Sequence, residues 1–155
     1  MPTYFPSFRV LVVEDDPLLG WALRETLVGS GHAVVEARDG AKGLRAAGTA
    51  LQPFDVIVLD DRLAEREAAW PLLVSFARLS PTSGGVLLAD VDRATRREDR
   101  IGTWHVLNKP FDMEALDQVV REAAADSRHD RQPSVQPRGN RRHYCGEGGP
   151  EGWTD

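Results

Sequence analysis

The sequence predicts an α/β domain: a doubly wound parallel sheet of five strands with helices on both faces, followed by a disordered tail. Three observations predict it. Short apolar runs alternate with amphipathic stretches of helical period five times over. Most of these runs stop abruptly at charged or polar residues, as buried parallel strands do at their carboxyl ends. From Ser127 onward the chain is Pro, Gly, Arg and Gln with almost no aliphatic residue, so it cannot bury enough apolar surface to offset its ordering entropy.

Arg9-Val10-Leu11-Val12-Val13 reads as the first strand and ends in Glu14-Asp15-Asp16. Pro17 opens a helix at its first position with Asp16 as the cap, and Gly29-Ser30-Gly31 stops it. Ala33-Val34-Val35-Glu36 is the second strand, Asp39-Gly40 a turn, and residues 41–50 a short helix. Asp55-Val56-Ile57-Val58-Leu59-Asp60 is the third strand, again ending in acids. Residues 65–79 carry a helical pattern around Trp70, Leu72, Leu73, Phe76 and Leu79. Val86-Leu87-Leu88-Ala89 is the fourth strand, and residues 93–101 are charged and weakly helical. Trp104-His105-Val106-Leu107 is the fifth strand, running into Asn108-Lys109-Pro110-Phe111. Asp112 caps a last helix that is expected to reach Ala125. The expected division is an extension over residues 1–7, a domain over 8–125 and a tail over 126–155.

Composition narrows the function. Of 155 residues 41% are hydrophobic and 28% charged, enough for a core and too apolar for wholesale disorder. The longest apolar runs are far short of a membrane span. Met1 to Phe8 lacks a charged start followed by an apolar stretch, so no secretory signal is expected and the expected compartment is the cytoplasm. The single cysteine, Cys145, excludes a disulfide framework and a multi-cysteine zinc site. Residues 126–155 hold five acids and five arginines, so the whole net charge of −5 sits in residues 1–125 and argues against non-specific nucleic-acid binding. The four histidines, His32, His105, His129 and His143, show no ligand spacing. Trp21, Trp70 and Trp104 are expected to pack rather than to bind.

In doubly wound sheets the working site lies at the carboxyl ends of the strands. Those ends carry Glu14, Asp15 and Asp16, then Asp60 and Asp61, then Ala89 and Asp90, and finally Lys109, one of only two lysines in an arginine-rich chain. Asp16 is expected to serve as a cap and Asp61 to face solvent. Clustered carboxylates repel and raise one another's pKa, which a divalent cation relieves. An all-oxygen, open set suits Mg²⁺. A carboxylate beside that ion can attack a phosphoryl group, with an ammonium pairing a phosphoryl oxygen. The loop after the first strand is acidic rather than glycine-rich, which counts against a Rossmann-type nucleotide site.

Taken together, Val10-Leu11-Val12-Val13-Glu14-Asp15-Asp16-Pro17, Val56-Ile57-Val58-Leu59-Asp60 and Leu107-Asn108-Lys109-Pro110-Phe111 resemble the receiver domains of two-component response regulators, chemotaxis-regulator-like, over about residues 8–125. The resemblance implies a flavodoxin-like strand order of 2-1-3-4-5. It implies Asp60 as phosphoacceptor, Lys109 as the phosphoryl-contacting ammonium, and Mg²⁺ held by Glu14, Asp15, Asp60 and the backbone carbonyl of Arg62. It also implies a cis Lys109–Pro110 peptide. A histidine kinase or phosphotransfer protein would donate the phosphoryl group. The domain would not be an enzyme in its own right, though it would assist its own phosphorylation and dephosphorylation.

The sequence departs from that family at its switch. The usual Thr or Ser at the end of the fourth strand is replaced by Ala89 or Asp90, depending on register, and the usual aromatic three residues before the lysine is Val106. Asp90 facing a phosphoryl dianion would repel it. The Gly-Ala pair common before the lysine is absent, and the segment there is short. Arg62 either leans over the acidic pocket or lies free on the surface. Two readings follow. One is a single-domain phosphoacceptor, with no helix-turn-helix expected after residue 125, signalling through an unknown downstream protein. The other is a degenerate receiver acting as a phosphorylation-independent interaction module. The oligomeric state stays open.

Overall fold

The computed structural model describes residues 5–65, 69–90, 100–101 and 103–131. The chain runs β1 (Arg9–Val13), α1 (Pro17–Gly29), β2 (Ala33–Ala37), α2 (Gly40–Thr49), β3 (Val56–Asp60), a 3₁₀ turn (Asp61–Glu65), α3 (Ala69–Leu79), β4 (Gly84–Asp90), β5 (Arg100–Ile101), β6 (Trp104–Lys109) and α4 (Met113–Arg131). The sheet order is β2-β1-β3-β4-β6-β5. The five longer strands are parallel and give the expected 2-1-3-4-5 order, with β6 as the fifth predicted strand. The two-residue β5 adds an antiparallel edge to β6.

Alternation along buried strands divides the core in two. Val10, Val12, Val56, Val58, Val86 and Leu88 face α1 and α4, where Leu23, Leu27, Leu116 and Val120 cover them. Leu11, Val13, Ile57, Leu59 and Leu87 face the other way, onto Ala47 of α2 and Leu72, Leu73 and Phe76 of α3. Every residue of β3 is buried, whereas β2 at the sheet edge is mostly exposed. Gly84 and Gly85 let neighbours come close: a Cβ at Gly84 would run into the Ala123 carbonyl, and one at Gly85 into the Trp104 ring.

Local signals account for the helix ends. Asp16 accepts from Leu18 N (2.8 Å) and Leu19 N (3.2 Å), Pro17 occupies the first turn, and Gly31 turns the chain at φ 92°. Asp39 caps α2 through Lys42 N (2.7 Å), and Asp112 caps α4 through Ala115 N (2.7 Å).

The structure departs from expectation in four places. Of the helix predicted over 65–79, α3 is described from Ala69, after a 3₁₀ turn over Asp61–Glu65; residues 66–68 lie outside the described residues. Arg100–Ile101 is strand rather than weak helix, because it pairs with β6; residues 91–99 lie outside the described residues. The last helix does not stop at Ala125 but runs to Arg131, anchored by the buried Ser127, whose hydroxyl donates to Ala124 O (2.9 Å). The rest of the expected tail, including Cys145, lies outside the described residues. Trp104 packs in the core against Phe76, as expected. Trp21 does not pack: it stands 58% exposed on α1. Among the described residues no helix is long and apolar enough to cross a membrane.

Candidate functional site

β1, β3 and β6 end at the same rim of the sheet. Alternation puts Glu14, Asp60 and Lys109 on one face there, the face that carries Val12, Val58 and Leu107 lower down. Glu14 extends the β1–β2 ladder through its N–H to Ala37 O (3.0 Å), so its backbone is held. Asp60 is the last residue of β3 and 2% exposed. The Lys109 ammonium donates to Asp60 Oδ2 at 2.6 Å, and the Arg62 N–H donates to Asp60 Oδ1 at 2.8 Å. The Lys109–Pro110 peptide is cis.

The charges are unevenly matched. Glu14 is 5% exposed; its Oε1 accepts from Asp16 N (2.9 Å), while Oε2 is buried with no donor. Burial, followed by the interaction with the neighbouring Asp60 carboxylate, pushes the Glu14 carboxyl up to about 9. Burial works to raise Asp60 as well, but the interactions with Glu14, Lys109 and the Arg62 N–H outweigh it and hold Asp60 below the ordinary carboxylate value.

Asp61 corrects an expectation. It is 7% exposed rather than solvent-facing, its Oδ2 accepts from Asp90 N (3.1 Å), and its Oδ1 is buried without a donor. Burial raises its pKa. Arg62 neither leans free over the acids nor lies unpaired: its Nε donates to Asp90 Oδ2 at 2.5 Å. Two neighbours in the turn after β3 thus grip the last residue of β4. Ala89 is buried beside Asp90 and carries no hydroxyl, and Val106 is half-buried on β6. Asp15 is exposed at the rim.

The donor set fits a hard divalent cation. Every side-chain donor is an oxygen, and the buried Glu14 Oε2 lacks a partner next to Asp60. Among the described residues no three such side chains close a metal cage as they stand. An open set of this kind suits Mg²⁺, which takes one or two carboxylates and keeps water and phosphate oxygens in its shell.

A second polar network lies at the opposite end of the sheet, and sequence reasoning missed it. The buried His32 accepts from Phe8 N at Nδ1 (3.2 Å), and its Nε2 bonds Asp117 Oδ1 (2.8 Å). Arg121 Nε donates to Asp117 Oδ2 (2.8 Å), and its other nitrogens reach Pro6 O and Ser30 O. His105, also buried, bonds Asp126 Oδ2 through Nε2 at 2.8 Å.

Comparison with known proteins points one way. No protein-family model matches the chain. The transcriptional activator protein PfeR of Pseudomonas aeruginosa is 36% identical over 141 residues, 88% of this chain and 44% of PfeR. The transcriptional activator protein IrlR of Burkholderia pseudomallei is 33% identical over 114 residues, 73% of this chain and 48% of IrlR. The chain therefore spans about half the length of these curated relatives. The crystal structure of a response regulator receiver domain protein from Clostridium thermocellum superposes with a TM-score of 0.68 at 18% identity, covering 79% of this chain and 98% of that one.

Proposed function

Because most of this chain is a CheY-like receiver domain of the two-component response regulators, we propose that Asp60 is its phosphoacceptor and that a histidine kinase or phosphotransfer protein is the donor. An Asp60 oxygen attacks the phosphorus of a phosphohistidine. The new P–O bond forms as the P–N bond breaks, and its electron pair returns to the donor's imidazole. Lys109, already 2.6 Å from Asp60 Oδ2, pairs with a phosphoryl oxygen as negative charge gathers there. The Arg62 N–H fixes the other Asp60 oxygen, so the nucleophile is oriented before the donor arrives. Glu14, Asp15, Asp60 and the Arg62 carbonyl would hold Mg²⁺, which supplies charge neutralisation at the phosphoryl oxygens when bound. Output would pass through protein–protein contacts.

The observation that carries this reading is the buried Asp60 carboxylate held by a single ammonium at the crest of the central strand. The test is incubation with Mg²⁺ and acetyl phosphate, read by intact mass. A phosphate adduct is expected on the wild type and none on Asp60→Asn. An adduct on both would place the chemistry elsewhere.

A second reading, a phosphorylation-independent interaction module, is favoured by one feature: Ala89 offers no hydroxyl at the end of β4, and Asp90 beside it is already paired. Absence of any adduct, with no effect of Mg²⁺ on tryptophan fluorescence, would select it.

A further inference from the structure

Asp61, Arg62 and Asp90 form a clasp across the mouth of the site that the phosphoacceptor reading does not use. Asp61 Oδ2 holds the Asp90 backbone N–H at 3.1 Å, and the Arg62 guanidinium holds the Asp90 carboxylate at 2.5 Å. Together they tie the turn after β3 to the last residue of β4. Arg62 is also tied to the acceptor, because its own N–H donates to Asp60 Oδ1.

We propose that Arg62 is the phosphoryl-sensing residue of this domain: when Asp60 carries a phosphoryl group, the guanidinium leaves Asp90 for the phosphoryl oxygens, and the end of β4 is released. The inference rests on Asp60 being the phosphoacceptor.

Four observations carry it. First, the Arg62 side chain is 62% exposed, and an ion pair that wet is weak enough to be outcompeted. Second, a guanidinium presents a planar fork that matches phosphate oxygens with two parallel hydrogen bonds. The charges of Asp60 and Asp61 already act on it, behind the larger effect of its bond to Asp90. Third, a phosphoryl dianion on Asp60 acts on both partners at once. It attracts Arg62 and repels the half-buried Asp90 carboxylate, so both forces open the same bond. Fourth, Ala89 has no hydroxyl with which the end of β4 could follow the phosphoryl group inward. The motion expected here is therefore release of β4 rather than capture.

The experiment is hydrogen exchange by mass spectrometry on the full chain, following the peptide that ends β4 (Gly84–Asp90). Wild type is compared with and without acetyl phosphate and Mg²⁺, beside unphosphorylated Arg62→Ala and Asp90→Asn. Intact mass is read on the same samples. Both substitutions should speed exchange at the end of β4 by about two- to fivefold, the worth of an exposed ion pair. Phosphorylation of wild type should bring its exchange to the level of the variants. An adduct-bearing wild type with unchanged or slower exchange overturns the clasp while leaving the phosphoacceptor reading intact. A wild type that takes no adduct overturns both, and the mass spectrum tells the two failures apart. The wild-type arm needs no variant to fold.

Discussion

The two ends of the sheet handle buried charge in opposite ways. At the amino end, His32, Asp117 and Arg121 satisfy one another and also hold Pro6, Phe8 and Ser30, so the network ties the entry to β1 and the end of α1 to α4. Burial would raise Asp117, but Arg121 and then His32 pull it below the ordinary carboxylate value. At the carboxyl end, Glu14 Oε2 and Asp61 Oδ1 are buried with no donor, and both carboxyls are raised. A buried polar group without a partner costs stability. Matched charge at one end ties the scaffold together; at the other, buried carboxyl oxygens are left without a donor.

The contrast predicts opposite responses to pH, and the larger is at the rim. Between about pH 4.5 and 9 the folded, cation-free protein keeps the Glu14 proton and the unfolded chain does not. The unfolded state then binds fewer protons, so stability falls as pH rises. The Glu14 contribution is complete below 4.5 and gone above about 9, with a slope of at most about 1.4 kcal/mol per pH unit. Urea unfolding of Glu14→Gln in the absence of divalent cations should show a flatter profile across that window. A profile parallel to wild type would mean that Glu14 is ionised in the folded protein.

The matched end is expected to respond with the opposite sign and more weakly. Asp117 is lowered in the folded state, so its contribution is present above the unfolded value near 3.9 and is lost as pH falls through the folded value. Asp117→Asn removes the charge that His32 and Arg121 share and should cost about 1–2 kcal/mol at pH 7. The gap from wild type should close below about pH 4. A constant gap would assign the cost to packing rather than to charge.

How far the sequence reveals these two ends follows from the range of each contact. Strands and caps are legible because their signals are local: the apolar run of β3, Asp16 two residues before Leu18, Asp112 three before Ala115. Glu14, Asp60 and Lys109 are legible because each sits at a strand end and the doubly wound topology brings strand ends together. The clasp is not, since Arg62 and Asp90 lie 28 residues apart with nothing in either segment to announce the pairing. Asp61 misleads because consecutive acids at a strand end read as one buried and one solvated. Here the Asp90 N–H draws the second inward. His32 and Asp117, 85 residues apart, are similarly silent. The last helix outruns its expected end because composition turns polar at Ser127, while Asp126 and Ser127 are still held by His105 and Ala124.

The smallest effect expected on stability should give the cleanest readout of the rim. Trp21 lines a cavity of about 90 Å³ together with Glu14, Asp16, Gly20 and Arg38. The residue is more than half exposed, so little buried apolar area is lost by removing it, and Trp21→Ala should change stability by about 0.5 kcal/mol or less. The buried Trp104 packs at the other end of β6 against Phe76, away from the carboxylates. A divalent cation that draws in the Glu14 carboxylate changes the charge on the wall Trp21 shares. Mg²⁺ titration should therefore alter wild-type tryptophan emission more than that of Trp21→Ala. A response of undiminished size in Trp21→Ala would move the reporter away from the wall that Trp21 shares with Glu14.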